Sequence, residues 1–242
     1  MNRKSILLVI VFGLLSTTVC AQNAKIQSFS KAKKLLEKEV YFDHRETLYC
    51  GASFDEKKDV LPLKGFETDK HKKRAKRIEW EHVVPAENFG KTFSEWREGH
   101  PNCINKKGKK FKGRNCASKV NTEYRYMQSD LYNLFPAIGA VNAMRSNYNF
   151  VVSLDKSSSF GSCRMVISDR KAVPPESARG RIARTYMYMQ ATYKHYKMSR
   201  QQNKLMSAWD KMYPANEWEC TRAERINAIQ GNQNKIMAER CF

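Results

Sequence analysis

The segment Arg77-Ile78-Glu79-Trp80-Glu81-His82-Val83-Val84-Pro85 places a carboxylate next to an imidazole inside an apolar, β-prone run. Burying such groups is costly unless they find partners. Together they form a minimal kit for metal-assisted hydrolysis: the carboxylate holds a hard cation, and the imidazole takes a proton from water near neutral pH. Taken singly, each has an ordinary structural reading, His82 as a satisfied core histidine and Glu81 as the outward member of an alternating strand. Geometry also sets a condition. Neighbours on a regular strand point to opposite faces, so Glu81 and His82 can address one phosphate only where the strand twists or ends. Pro85, which biases Val84 toward extended backbone, makes an ending there plausible. Other signatures are absent: there is no HExxH and no GxSxG, and Gly108–Arg114 has the glycine spacing of a phosphate loop with Arg114 and Asn115 in place of the required Lys and Ser or Thr.

The elements that must position this pair are read from periodicity. A helix is expected over Ser30–Arg45, with Ser30 as cap and Leu35, Leu36 and Val40 on its apolar face. Thr47–Cys50 reads as a short strand and Ile78–Val84 as an extended segment. Residues 121–135 read as a helix stopped by Pro136, and Val151–Leu154 and Cys163–Ile167 as strands. Pro174-Pro175 opens a helix to about Tyr196. Ser199 with Gln202 forms a capping box for the next, to about Tyr213, and Asn216 and Gly231 bound a third. There is no internal repeat and no linker, so the expected fold is a single α+β domain with a helix-rich C-terminal part at about 174–231.

The chain has 242 residues, 44 Lys plus Arg against 24 Asp plus Glu, and a net charge of +20. With 41% hydrophobic residues it can build a core, which argues against a disordered cationic tail. The charge attracts polyanions. Two runs, residues 70–77 and 106–114, each carry six basic side chains and no acid. Residues 1–21 have the three parts of a secretory signal: basic Arg3 and Lys4, the apolar run Ile6–Leu15, and Val19-Cys20-Ala21 at the cleavage point. Its loss leaves residues 22–242 with a charge of +18. Cys50, Cys103, Cys116, Cys163, Cys220 and Cys241 then remain, an even number suited to three disulfides in an exported chain. Proximity favours Cys103–Cys116 and Cys220–Cys241, leaving Cys50–Cys163.

RIEWEHVVPA, SDLYNLFPAIGAVNAMRSNYNF at 129–150, PPESARGRIARTYMYM, SRQQNKLMSAWDKMYP and WECTRAERINAIQGNQN together resemble the bacterial endonuclease I family, from about Cys50 to the C-terminus. The resemblance implies a periplasmic or secreted nonspecific nuclease with a His-Me finger (ββα-metal) core at about 76–150. It implies His82 as general base, Glu81 and Asn142 as ligands of one divalent cation, and, from a loop of variable length, Arg114 as the phosphate contact. Asn133 and Arg145 lie in matching segments as candidates to orient the site, and Gln128 falls near the water shell of the cation. Magnesium is the expected cation, with manganese or calcium as alternatives. Double- and single-stranded DNA and RNA are the expected substrates, since the chemistry needs no 2′-hydroxyl, and 5′-phosphate and 3′-hydroxyl ends the expected products. No membrane partner is expected, and the expected state is a monomer. Three departures stand out: Gln128 replaces a common Glu, Ala143-Met144 replaces Gly-Asp, and Ala52 stands where relatives have a cysteine. Two rival classes are a noncatalytic cationic nucleic-acid-binding protein and a membrane-active cationic protein.

Overall fold

The computed structural model describes residues 22–241; the expected signal segment, with Cys20, lies outside them. Helix α1, Phe29–Leu35, starts two residues earlier than a Ser30 cap implies, because Ser28 caps it instead, accepting from Lys31 N. It runs into a wide turn, Leu36–Val40, closed by Tyr41 N donating to Leu36 O at 2.8 Å. The helix ends there instead of at Arg45, since the Tyr41 ring turns inward between Trp80 and Trp218. Thr47–Cys50 is a turn, not a strand. Thr47 Oγ1 accepts from Ala52 N, and Gly51 at φ +62° supplies the left-handed step.

After α2, Lys72–Ala75, comes β1, Ile78–His82. Helices α3 (Ala86–Gly90), α4 (Ser94–Arg97), α5 (Arg114–Val120) and α6 (Thr122–Gln128) follow. The single helix expected over 121–135 ends at Gln128. A 3-10 turn, Leu131–Asn133, leads into β2, Leu134–Ile138, which pairs antiparallel with β1 from Ile78↔Ile138 to His82↔Leu134. Pro136 therefore sits inside a strand, opposite Trp80. It is tolerated because its carbonyl points away from β1, accepting from Leu48 N at 2.8 Å; the missing N–H would point the same way and is not needed by the pairing. Helix α7, Gly139–Arg145, follows β2 without a loop. A Cβ at Gly139 would lie 2.5 Å from Arg74 O, so only glycine lets the start of α7 rest against α2 and the entrance of β1.

A second sheet has strand order β3-β5-β4, with β3 at Asn149–Phe150, β4 at Val166–Ser168 and β5 at Lys171–Val173. The expected strands over Val151–Leu154 and Cys163–Ile167 are thus displaced. The β4–β5 hairpin turns through Asp169 and Arg170, both at positive φ, which matches the strands' right-handed twist. The C-terminal part is helical: α8 (Glu176–Thr192), α9 (Arg200–Met212), α10 (Glu217–Gln230) and α11 (Lys235–Cys241). Helix α8 stops at Thr192, short of Tyr196. Asn216 caps α10 through Glu219 N, and Gly231 closes it in the left-handed conformation. Ser199 caps α9 through Gln202 N, but the Gln202 side chain does not return, so half of the capping box forms.

All three expected disulfides are present: Cys50–Cys163, Cys103–Cys116 and Cys220–Cys241. One continuous core joins α1, both sheets and the C-terminal helices. Among the described residues no helix is long and apolar enough to cross a membrane. The mixed helix-and-strand content agrees with the α+β expectation.

Candidate active site

An open cleft of about 1060 Å³ runs along β1, between α1 and α2 on one side and the N-terminus of α5 on the other. Glu81, His82, Asn142 and Arg114 all line it. The condition on strand geometry is met, because His82 is the last residue of β1 and the chain bends immediately after it.

His82 is nearly buried, with its Nε2 2.8 Å from the backbone carbonyl of Gln128. A carbonyl only accepts, so Nε2 carries the proton and Nδ1 is left as the basic nitrogen. Phe29 packs on the imidazole at 4.9 Å between ring centres. Burial, and then the charge of Arg114, lower the His82 pKa to about 3, which keeps the ring neutral and able to accept a proton. Arg114 begins α5, where Gly113 at φ +78° turns the chain in. Its guanidinium lies 5.3 Å from the Phe29 ring centre and has no carboxylate partner among the described residues.

Glu81 is buried, and one of its oxygens is occupied. Oε1 accepts from Tyr49 Oη at 2.9 Å and from Arg145 Nη1 at 2.8 Å. Among the described residues nothing hydrogen-bonds to Oε2. Burial raises the Glu81 pKa, against the lowering effects of Arg145 and Tyr49. Asn142, on α7, donates its Nδ2 to Glu79 Oε2 at 2.7 Å, while its Oδ1 likewise has no hydrogen bond among the described residues. The site thus holds two unspent hard oxygens, one anionic and one amide, the donor type that magnesium, manganese and calcium prefer. Among the described residues no group of three or more His, Cys, Asp or Glu side chains is arranged to hold a metal. A cation here would keep several waters, as magnesium does.

The remaining candidates stand behind the cleft. Arg145 is fully buried; besides Glu81 it donates to the carbonyls of His82 at 2.9 Å and Val83 at 2.7 Å. It thereby holds the end of β1 in place. Asn133 pairs with both the N–H and the carbonyl of Val84, clamping the bend after the histidine. Gln128 contributes its backbone carbonyl; its side-chain oxygen accepts from Ser118.

Four contributors were not singled out from the sequence. Glu79 could have been found, since it lies two residues before Glu81 and so on the same strand face. Burial works against its ionisation, but hydrogen bonds from Arg74 and Asn142 outweigh this and hold its carboxyl below the usual range. Arg74 is hidden in the basic run at 70–77. Tyr49 and Phe29 carry no local signal at all.

The Endonuclease I family model matches residues 20–239. A periplasmic deoxyribonuclease of Aeromonas hydrophila is 40% identical over 235 residues, covering 94% of this chain and 92% of that protein. An extracellular deoxyribonuclease of the same species is also 40% identical, covering 94% of each. Endonuclease-1 of Buchnera aphidicola subsp. Acyrthosiphon pisum is 36% identical over 224 residues, covering 90% of this chain and 83% of that protein. With its motifs in one cleft and similarity along nearly its whole length, this chain belongs to the endonuclease I family.

Proposed function

We propose that the cleft is a phosphodiester-hydrolysing site of the His-Me finger (ββα-metal) type. The strand–strand–helix unit formed by β1, β2 and α7 supplies the base and both cation ligands. The protein is then an exported endonuclease acting on double- and single-stranded DNA and on RNA, with residues 1–21 as its export signal. The observation that carries this reading is the state of the three side chains: a neutral imidazole with its proton held on Nε2, beside two oxygens that no group among the described residues uses.

In this mechanism Glu81 Oε2 and Asn142 Oδ1 would hold one divalent cation, with magnesium the best fit to hard oxygens. When bound, the cation supplies positive charge to the scissile phosphate and to the departing 3′ oxygen. His82 Nδ1 draws a proton from the attacking water, and the Gln128 carbonyl stabilises the imidazolium that results. Arg114 shares the negative charge gathering on the phosphate oxygens. Arg145, itself immobile, keeps Glu81 from turning away. Attack at phosphorus breaks the bond to the 3′ oxygen, which takes a proton from water in the open cleft, and leaves a 5′-phosphate and a 3′-hydroxyl. Lys33, Lys34 and Lys73 along the cleft suit the phosphate backbone, which carries no sequence information, so cleavage is sequence-indifferent. A protein that only binds nucleic acid would need this cationic wall but not the fixed tautomer of His82.

The test is digestion of plasmid, single-stranded DNA and RNA by wild type and His82→Ala, with and without chelator. Cleavage falls about 10²- to 10⁴-fold in the variant while DNA binding persists. Chelator silences the wild type. Full activity in the variant would overturn the assignment of the base.

A further inference from the structure

Beside Asn142 sits a carboxylate to which the mechanism assigns no task. Glu79 Oε2 accepts from Asn142 Nδ2 at 2.7 Å. Arg74 grips both oxygens of the same carboxylate, Nε to Oε1 at 2.7 Å and Nη2 to Oε2 at 2.5 Å. The three residues come from α2, β1 and α7, and Gly139 permits their close approach: a Cβ there would lie 3.0 Å from Glu79 Oε1.

A terminal amide has two ends of nearly equal shape and opposite polarity. Without a partner, Asn142 is free to turn its NH₂ toward a cation, which repels it. An ionised carboxylate only accepts, so it selects the NH₂ end. Turning the amide over would set Oδ1 against Glu79 Oε2, two acceptors face to face, at the expense of a charge-assisted hydrogen bond. With Nδ2 on Glu79, Oδ1 is the end left for a ligand.

We propose that Glu79 is a positioning residue for the endonuclease reaction: through Asn142 Nδ2 it holds the amide with its oxygen toward the cation, and Arg74 holds Glu79. This rests on the reading of Asn142 as a cation ligand. Because Arg74 neutralises Glu79, the carboxylate contributes orientation rather than net charge. Partners that orient a ligand in this way typically change metal affinity 10- to 100-fold.

The experiment is titration of the full-length secreted protein with Mn²⁺, without substrate, following the free ion by electron paramagnetic resonance. In Glu79→Ala the affinity falls about tenfold. In Asn142→Asp both ends of the side chain are oxygens, so orientation no longer matters and Glu79 only repels. Adding Glu79→Ala to that variant leaves the affinity unchanged or raises it. A fall of equal size in both backgrounds would mean that Glu79 acts by charge or by general support, and would overturn the proposal. An unchanged affinity in Glu79→Ala, with a clear loss in Asn142→Ala, would overturn it too. Wild-type affinity in Asn142→Ala would remove the ligand assignment itself, and this proposal with it. Glu79→Met, which keeps the length of the side chain but accepts no such bond, provides the same comparison should Glu79→Ala not fold.

Discussion

Arg145 and Arg184 are both withdrawn from water, and each rests on carboxylates. Arg184, on α8, donates to both oxygens of Glu219 at 2.8 and 2.7 Å and to Asp210 Oδ1 at 3.1 Å. Arg240 takes the last carboxylate oxygen, Asp210 Oδ2, at 2.8 Å. That cluster is closed on itself and pins α8, α9, α10 and α11 together. Arg145 has one carboxylate, and it uses a single oxygen of it. Its other bonds go to backbone carbonyls at the end of β1, so the second oxygen of Glu81 is left over at the cleft. The same pairing of residue types is a staple in one region and, on the proposed function, a ligand holder in the other. What separates them is whether every carboxylate oxygen has found a donor.

This contrast yields matched experiments. The largest effect is expected for Glu81→Ala, which leaves a buried guanidinium without its carboxylate. Stability falls by about 3–5 kcal/mol, and cleavage by the molecules that remain folded is lost. Glu219→Ala costs about 3 kcal/mol, the lower end because Asp210 remains, yet leaves the cleavage rate of folded protein at the wild-type value. Denaturant melts together with rates measured well below the midpoint separate the two. A rate loss in folded Glu219→Ala would break the distinction between staple and site.

A smaller pair compares two glycines. In Gly139→Ala the new methyl meets the Arg74 carbonyl and Glu79, pushing α7 and Asn142 outward. In Gly180→Ala it meets the Tyr213 carbonyl and the Arg184 guanidinium. Each costs about 1–3 kcal/mol from overpacking. Only Gly139→Ala lowers Mn²⁺ affinity and rate, by about tenfold. Equal rates in the two variants would show that α7 relaxes without moving its ligand.

The least effect is expected at single lysines. Replacing Lys33, at the cleft, lowers the slope of log affinity for DNA against log salt by about 0.9. Replacing Lys204, on α9, leaves the slope unchanged. Equal slopes would spread the nucleic-acid contact beyond the cleft.

Long helices with explicit caps were readable in advance, as α9 and α10 illustrate, because a capping side chain and its N–H lie three residues apart. The errors fall where a partner lies far along the chain. The expected helix over 121–135 gave way to β2 because Leu134–Ile138 pairs with a strand more than fifty residues away, and Pro136 reads as a breaker only if that pairing is ignored. The first helix stops early because Tyr41 finds its place between two tryptophans. At the site, His82, Glu81, Asn142 and Arg114 were identifiable from motif resemblance and do share the cleft. Gln128 was identifiable as a position but not as a role, since it acts through a backbone carbonyl that any residue would offer. Tyr49, whose hydroxyl holds Glu81 across 32 residues of sequence, had no signal to find.

Composition and local spacing were enough for the polyanion-attracting charge, for an even set of six cysteines suited to three disulfides, and for the pairing of an imidazole with a carboxylate. Each of these depends on residue type or on adjacent positions, whereas the Cys50–Cys163 bridge joins residues 113 apart and needed the fold. The proton on His82 Nε2, the one spare oxygen of Glu81 and the direction of the Asn142 amide were settled by donors and acceptors 32 to 64 residues distant. A hydrogen bond is directional and uses up a lone pair, so the groups left free for chemistry emerge only when the folded chain has satisfied all the others.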